Sequence, residues 1–312
     1  MKRFLGILIC AIALSSCDDG DLVVDKIDFT DVTAKSCSEN NLIYKLKETE
    51  ALILNVPVTT FTTNPSEIDL VINAENQVVY NFYDGKVSDG NICDLIPSPN
   101  PNTKSQWIAS DGIIHITTTA VKKLNETNNS TRITGYNHNI VFKDITFKKD
   151  NGTEQKYATF DFGDYLKAVD PLPFAFNGVL NRCDLGEVYD FSPNESFTLY
   201  IDDALIVNDV TPVGSPRTGT IGLIKNKLAY RLFTGGVLQS DYFCKTTLPL
   251  LPAVSQEWLG QVGGVIEVTT TTNGPNTFIH TIILKNVTLE KGGSNFQLGT
   301  SYKFGELQTI KS

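Results

Sequence analysis

Basic side chains are in the minority in this 312-residue chain. It has 26 Lys and Arg residues against 35 Asp and Glu residues, which gives a formal net charge of −9. Nucleic-acid binders carry basic patches and anionic lipid headgroups attract basic segments, so we expect no nucleic-acid partner and no electrostatic membrane binding. Hydrophobic residues make up 41% of the chain and charged residues 20%, which is typical of globular proteins.

Residues for catalysis and metal binding are also scarce. Histidine occurs three times, at His115, His138 and His280. The sequence has no C-x-x-C pair, H-E-x-x-H motif, G-x-S-x-G elbow, phosphate-binding loop or dinucleotide-binding glycine pattern. We therefore expect a protein that is not an enzyme and that holds no metal and no cofactor.

Carboxylates, by contrast, are potentially catalytic side chains that are abundant in this sequence. A glycoside hydrolase needs only two of them, and the candidates are Asp202 with Asp203 and Asp84 with Asp89. The first pair has no matching acidic pair at the equivalent place in the first half of the chain, and neighbours in a strand face opposite sides. A glycan-active hydrolase is therefore the last of three functional hypotheses.

Long hydrophobic runs are missing apart from residues 4–14. This 11-residue apolar run follows the basic start Met1-Lys2-Arg3 and is too short to span a bilayer comfortably. It is typical of the core of a signal peptide. We predict that residues 1–16 are removed on export.

The end of this signal, Leu14-Ser15-Ser16-Cys17, resembles the lipobox of bacterial lipoproteins. The resemblance implies that Cys17 becomes an acylated N-terminus, with chains such as palmitate as the membrane anchor. The alternative is an ordinary secreted protein.

Residues 17–25 form an acidic tether that begins Cys17-Asp18-Asp19. It resembles the export tag of surface-exposed lipoproteins of Bacteroidota. The resemblance implies an outer-membrane protein that faces the cell exterior. The periplasmic face of the outer membrane and the inner membrane are the alternatives.

Internal similarity divides the rest of the chain into two copies. Residues 79–85 reappear at 229–235, residues 112–119 at 264–271 and residues 140–147 at 282–289, with offsets that drift only slightly. We predict one β domain over 26–165 and its copy over 172–308, joined by a short linker at 166–171. Insertions are expected in loops such as 121–131.

Strand patterns dominate both copies. Val, Ile, Thr and aromatic residues alternate with polar ones, and no long helical stripe occurs. Asn151-Gly152 and Gly292-Gly293 are hairpin-turn signals at matching places. We predict an all-β chain of two tandem antiparallel β-sandwiches or partly closed barrels, each of about seven to nine strands. One helical turn around each tryptophan, capped by Ser105 or Ser255, is the exception.

Four cysteines remain once the signal and the acylation site are set aside, and they allow three pairings. The duplication favours Cys37 with Cys93 and Cys183 with Cys244, because each copy then closes its own loop of similar size. An envelope or surface location permits both bonds. A zinc site is the alternative, but C-x-x-C pairs are missing and histidine is scarce.

Aromatic residues raise the question of glycan binding, because exposed rings can stack on sugars. Trp107 and Trp258 lie at matching positions after a cysteine, which favours packing against a disulfide over a glycan platform. Tyr83, Tyr136 and Tyr242 are further candidates for a glycan contact.

The histidines give three separate predictions. His138 and His280 match each other and share strand parity with apolar neighbours, so each should be a buried, hydrogen-bonded core residue. His115 is replaced by Glu267 in the second copy, so it should lie on an outward strand face.

The whole chain resembles outer-membrane lipoproteins of flavobacteria. The resemblance rests on the lipobox, the acidic start, and β domains with a cysteine, a proline-rich turn, a tryptophan and a strand ending in threonines. In the first copy these are Cys93, Pro97, Pro99, Trp107 and residues 112–119. The resemblance implies a location and an architecture but carries no activity.

Two functional hypotheses precede the hydrolase. The first is a non-catalytic structural or accessory subunit that docks on another outer-membrane protein. The second is a surface module that binds a glycan or a host ligand.

Overall fold

The computed structural model describes residues 26–183, 186–245 and 247–311. They form almost only β-structure, arranged as two curled sheets that build two sandwich-like domains. The predicted all-β class with two sandwich-like domains is confirmed. The predicted signal peptide at 1–16, the predicted acylation site Cys17 and the predicted acidic tether at 17–25 lie outside the described residues.

The first sheet has eight strands. They are β1 (Lys35–Ser36), β2 (Leu42–Lys47), β3 (Glu50–Asn55), β4 (Ser66–Val71), β5 (Gln77–Tyr83), β6 (Thr103–Asn125), β7 (Ser130–Lys148) and β8 (Glu154–Ala168). A 3₁₀ turn at Val58–Thr60 and the short helix α1 (Asp89–Cys93) lie between them.

The second sheet has eleven strands. They are β9 (Val179–Arg182), β10 (Glu187–Ser192), β11 (Glu195–Tyr200), β12 (Arg217–Ile221), β13 (Lys227–Thr234), β14 (Ala253–Gly260), β15 (Gly263–Thr272), β16 (Thr277–Lys285), β17 (Thr288–Lys291), β18 (Ser294–Gln297) and β19 (Tyr302–Ile310). Two more 3₁₀ turns lie at Asp203–Leu205 and Ser240–Tyr242.

Both sheets follow the same path, except that β9 also pairs in parallel with β19 in the second sheet, a pairing that β1 and β8 of the first sheet do not have. Strands β1 to β5 match β9 to β13 in order, and each long strand of the first sheet matches two shorter strands of the second. Thus β6 corresponds to β14 with β15, β7 to β16 with β17, and β8 to β18 with β19. The larger strand number of the second sheet therefore comes from interruptions of one path and not from new elements.

A corner in β6 curls the first sheet. Residues 103–108 of this strand pair with β5, whereas residues 113–118 pair with β4 on the same edge. Gly112 stands at the corner with a φ of +126°, and a Cβ there would lie 2.8 Å from the Cα of Ile145. Only glycine adopts this backbone without strain and without that clash.

The helical turn predicted around each tryptophan is wrong. Ser105 and Trp107 lie in β6, and Ser255 and Trp258 lie in β14. Strand alternation buries each indole against the neighbouring strand, and this outweighs the capping signal of the preceding serine. The helical turns lie earlier in each copy: α1 ends at Cys93 and is capped by Ser88, and the 3₁₀ turn of the second copy ends two residues before Cys244.

The segment 121–131 is not a loop but the end of a long hairpin. Strands β6 and β7 remain paired as far as Asn125 opposite Ser130, so only residues 126–129 form the turn. The equivalent hairpin of β15 and β16 is much shorter, with 10 and 9 residues against 23 and 19. The insertion in the first copy therefore extends two strands.

Residues 120–136, called the arm below, pack on the second domain. Ile133 and Tyr136 are buried in the core of that domain, although they belong to the first sheet. The hydroxyl of Tyr136 lies 3.0 Å from the Ser294 hydroxyl. The two domains therefore share part of one core.

The predicted linker at 166–171 begins as strand, because β8 runs to Ala168. Residues 172–178, which follow this predicted linker, are called the crossover segment below. Leu172, Phe174 and Phe176 of this segment pack against the core of the second domain. The chain between the two sheets is thus held by packing.

Candidate functional site

Both predicted disulfides are present. Cys37 is bonded to Cys93 and Cys183 to Cys244, at sequence separations of 56 and 61 residues. The pairing predicted from the duplication is confirmed. Each bond belongs to a small apolar cluster that is distinct from the main core of its domain. An exposed loop follows the second cysteine of each bond in the sequence.

These loops, 94–102 in the first domain and 247–252 in the second, are called the apolar loops below. Leu95 and Ile96 are 81% and 89% exposed in the first, and Leu250 and Leu251 are 92% and 63% exposed in the second. Isolated exposed hydrophobic residues are common. Here equivalent loops of two domains both display an adjacent pair of them.

Hydrogen bonds hold the C-terminal end of the first apolar loop, and the Cys37–Cys93 disulfide directly precedes its N-terminal end. Asp84 accepts from the backbone N–H and the side-chain amide of Asn102, both at 2.9 Å. The amide of Asn91 donates to the carbonyl of Asn100 at 3.1 Å. Leu95 and Ile96 therefore project from a loop with a fixed base.

A cavity of about 410 Å³ lies where the arm meets the second domain. The arm contributes Arg132, Ile133 and Tyr136, and the chain between the sheets contributes residues 169–173. Trp258 and Phe296 form part of the wall from the second domain. The cavity therefore exists only where both domains are present.

Two cationic side chains line this cavity next to aromatic rings. The guanidinium carbon of Arg132 lies 4.7 Å from the ring centre of Phe174 and 5.4 Å from that of Phe296. The ammonium of Lys291 lies 5.3 Å from the ring centre of Trp258. Burial lowers the pKa of Arg132 and also that of Lys291. Both cations have thus lost part of their hydration.

Glu195 fixes the crossover segment beside the cavity. Its fully buried carboxylate accepts from the backbone N–H groups of Phe174 and Ala175 at 3.0 and 2.6 Å, and from the Tyr230 hydroxyl at 2.5 Å. The ring of Phe174 also stacks on that of Tyr230, with centroids 4.4 Å apart. The Glu195 carboxylate therefore fixes the crossover segment, which forms part of the cavity wall.

The predicted core histidines are confirmed. His138 and His280 are 0% exposed, and the Nδ1 of each lies 2.9 Å from the hydroxyl of the threonine directly opposite, Thr118 or Thr270. Burial lowers the pKa of each histidine to about 4. Both are therefore neutral at pH 7.

His115 is the outward histidine, as predicted. It alternates with the buried Ile114 and Ile116 along β6 and lies between the carboxylates of Glu67 and Asp69 on β4. It forms polar contacts with these two carboxylates on the outer face of the sheet.

The candidate hydrolase carboxylates are all engaged at the surface. Asp202 accepts from Lys225 at 3.0 Å, and Asp203 pairs with Arg182. Asp89 accepts from Lys35 at 3.0 Å. Hydrogen bonds lower the pKa of Asp202, Asp89 and also Asp84, whose partner is Asn102. A general acid at neutral pH needs the opposite shift.

The tryptophans are core residues, as predicted, but neither packs against a disulfide. Trp107 and Trp258 are buried in the two main cores, and their nearest rings are Tyr80 and Phe296. The disulfides lie among other aromatic residues. The tyrosines suggested for glycan contact, Tyr83, Tyr136 and Tyr242, are all buried.

Sequence reasoning missed Arg132, Lys291 and Glu195. Two of them carried a usable signal in the duplication. Lys149 and Glu50 occupy the equivalent positions in the first domain, where Lys149 lies over Trp107 at 4.0 Å and Glu50 accepts from Tyr80 at 3.0 Å. Arg132 lies in the arm, which has no counterpart in the second copy.

Within residues 26–183, 186–245 and 247–311, no group of three His, Cys, Asp or Glu side chains could hold a metal ion. In the same part of the chain, no helix has the length and apolar character needed to cross a membrane. No protein-family model, curated protein or solved structure matches the chain.

Proposed function

We propose that the chain is a lipid-anchored outer-membrane protein of the Bacteroidota that docks on another outer-membrane protein and performs no chemistry. The anchor is Cys17, which follows an 11-residue apolar run and precedes an acidic tether. The same tether supports display at the cell exterior. The membrane is thus one partner, through the lipid, and an outer-membrane protein is the other.

The observation that carries the docking proposal is the pair of apolar loops. Leu95 and Ile96 in one domain and Leu250 and Leu251 in the other are exposed in equivalent loops that follow a disulfide. Burying each such side chain against a partner contributes about 1.5–3 kcal/mol. Two loops on one chain also raise the effective concentration of the second contact once the first is made.

The charge of the chain favours a protein partner over a lipid surface. With a net charge of −9, the molecule gains nothing from anionic headgroups. The core of a protein interface, by contrast, is depleted of charge and rich in apolar side chains. The apolar loops match that chemistry.

The absence of chemistry is supported by the state of the polar groups. Both buried histidines have a lowered pKa and a threonine partner, and hydrogen bonds lower the pKa of Asp84, Asp89 and Asp202. No pair of these carboxylates combines an acid of raised pKa with an ionised partner, as glycoside hydrolysis requires.

The anchor is tested by metabolic labelling with a fatty-acid analogue. Cys17→Ala should abolish labelling and leave the protein unprocessed or released. Labelling of the variant at the wild-type level would overturn the assignment of Cys17. Protease treatment of intact cells should then degrade the wild-type protein if it faces the exterior.

Docking is tested by cross-linking on intact cells followed by purification of the lipoprotein. One outer-membrane protein should be recovered in stoichiometric amount with the wild type, less with Leu95→Ser/Ile96→Ser or Leu250→Ser/Leu251→Ser, and none with all four changes. The matched control is Leu223→Ser/Ile224→Ser, an exposed apolar pair outside the apolar loops. Equal recovery with all variants, or no stoichiometric partner with the wild type, would refute the proposal.

A further inference from the structure

We propose that the cavity between the arm and the second domain binds a small carboxylate with a ring-sized body, and that Arg132 and Lys291 hold its charge. The site lies apart from the apolar loops and does not depend on docking. It goes beyond the proposed function because it assigns a small ligand to the chain.

The size and lining of the cavity suit such a ligand. A volume of about 410 Å³ lies within the range of small-molecule sites. Its walls include the apolar side chains of Ile133, Leu232, Trp258 and Phe296. These walls can cover the body of a ring.

The two cations are the polar feature that calls for an anion. Among the described residues, neither Arg132 nor Lys291 forms an ion pair with a carboxylate, and Asp170 is the one acid on the cavity wall. The Lys291 ammonium donates to the neutral amide oxygen of Gln256 at 3.5 Å. The Nη1 of Arg132 donates to the carbonyls of Thr131 and Gln297 at 2.8 and 3.4 Å. Its remaining N–H groups have no recorded acceptor in the described part of the chain.

Desolvation of these cations is compensated only in part. Contacts with aromatic faces return some of the lost hydration energy, but a cation that leaves water is normally balanced by an anion. A bound carboxylate would supply that balance and could pair with the planar fork of Arg132. The cavity is therefore built for a negative charge.

The equivalent cavity of the first domain provides an internal comparison. It has a volume of about 530 Å³ and contains the matching pair Trp107 and Lys149. Its lining also includes a second cation, Lys26, together with the carboxylates of Glu50 and Asp150, and lacks an arginine. The first-domain cavity thus balances two cations with two acids, whereas the junction cavity has two cations, one of them an arginine, and one exposed acid.

The side chains of Gln256 and Asn194 also line the junction cavity. The Oε1 of Gln256 accepts from Trp258 Nε1 at 3.3 Å and from the Lys291 ammonium at 3.5 Å, and its amide N–H groups can donate to hydroxyl or carbonyl groups of a ligand. Two sources share this chemistry: the uronic acid unit of a glycan and a free aromatic or alicyclic acid. Glucuronate and benzoate represent them, and glucose and benzamide are their neutral counterparts.

The test uses fluorescence of the lipidated full chain in detergent. In Trp107→Phe, Trp258 is the sole tryptophan and reports directly from the cavity wall. Glucuronate or benzoate should change its emission saturably, whereas glucose and benzamide should not. Whichever acid binds more tightly identifies the source. Calorimetric titration of the wild type should give the same order of affinities.

Charge removal tests the roles of the two cations. Arg132→Gln and Lys291→Gln should each weaken binding about tenfold or more, and Lys149→Gln, the matched control in the first domain, should not. Thermal melting establishes that each variant is folded, and Lys291→Gln serves alone if Arg132→Gln is not. Absence of saturable binding by both acids, equal binding of acids and neutral compounds, or an equal loss in Lys149→Gln would overturn the proposal.

Discussion

At the scale of single residues, the two buried histidines show how duplication conserves a polar pair inside a β core. His138 and His280 each face a threonine on the neighbouring strand, Thr118 or Thr270, at the same 2.9 Å. They differ at Nε2. In His280 this atom lies 2.8 Å from the Thr309 hydroxyl, whereas that of His138 has no recorded partner among the described residues. The threonine contact is therefore the shared feature.

The histidines make stability depend on pH. Their pKa is about 4 in the folded chain and 6.5 when unperturbed, so the folded state disfavours the charged form. Their stabilising contribution is complete above pH 6.5 and is lost as the pH falls towards 4. Between pH 7 and pH 5, the free energy of unfolding should fall by about 2 kcal/mol for each histidine.

Urea denaturation at several pH values checks this prediction. His138→Gln and His280→Gln should each remove about half of the fall between pH 7 and pH 5. The outward His115, changed to Gln, is the control and should leave both buried contributions in place. A wild-type stability that stays constant over this interval would contradict the prediction.

At the scale of elements, the crossover segment shows how a connection becomes part of a core. Phe174 has a φ of +50°, which is uncommon for a non-glycine residue. Its backbone N–H and that of Ala175 donate hydrogen bonds to Glu195, and its ring stacks on that of Tyr230. These contacts hold Phe174 in this conformation. The first domain uses a different device, because buried Lys45 donates to the carbonyl of Phe29 at 3.1 Å.

Removal of the Glu195 carboxylate should therefore release the crossover segment. Glu195→Ala leaves two backbone donors and the Tyr230 hydroxyl without their acceptor, and each buried unsatisfied group costs about 1–3 kcal/mol. We expect a loss of at least about 3 kcal/mol in chemical denaturation, with faster amide exchange at residues 174–175. The matched control Glu50→Ala, at a half-buried position, should lose about 1 kcal/mol. Equal losses would argue against this role of Glu195.

Much of the element order was predictable from the sequence, for physical reasons. Strand alternation, the turn at Asn151-Gly152 and the repeat of the cysteines are local or copied signals, and they gave the all-β class and both disulfides. The cavity depends instead on where the arm packs against the second domain. An Asn- and Lys-rich stretch has the composition of a loop, and the contacts that order Arg132 come from residues far along the chain, such as Gln297.

At the scale of the whole molecule, the two domains are not equal partners. The core of the second domain includes Ile133 and Tyr136 from the arm, whereas the core of the first contains no residue of the second sheet. Further hydrogen bonds join the arm to the second domain, among them Lys122 to Asn295 at 2.6 Å. The arm of the first domain therefore stabilises the second domain, whereas the second sheet adds no side chain to the core of the first.

A shortened arm should expose this asymmetry. Replacing residues 122–134 by a two-residue Asn-Gly turn would give the hairpin a length closer to that of β15 with β16, since Val121 and Gly135 already pair. The second domain would lose the buried Ile133 and several arm hydrogen bonds, about 2–4 kcal/mol in total. The first domain should be unaffected, because its core contains no residue of this stretch.

Calorimetry should then show the second domain melting earlier and separately, with its protection from amide exchange reduced and that of the first domain unchanged. Lys122→Gln alone, which removes one exposed contact, is the control and should leave the melting profile close to that of the wild type. A shortened chain that melts in one transition at the wild-type temperature would show that the domains do not depend on the arm.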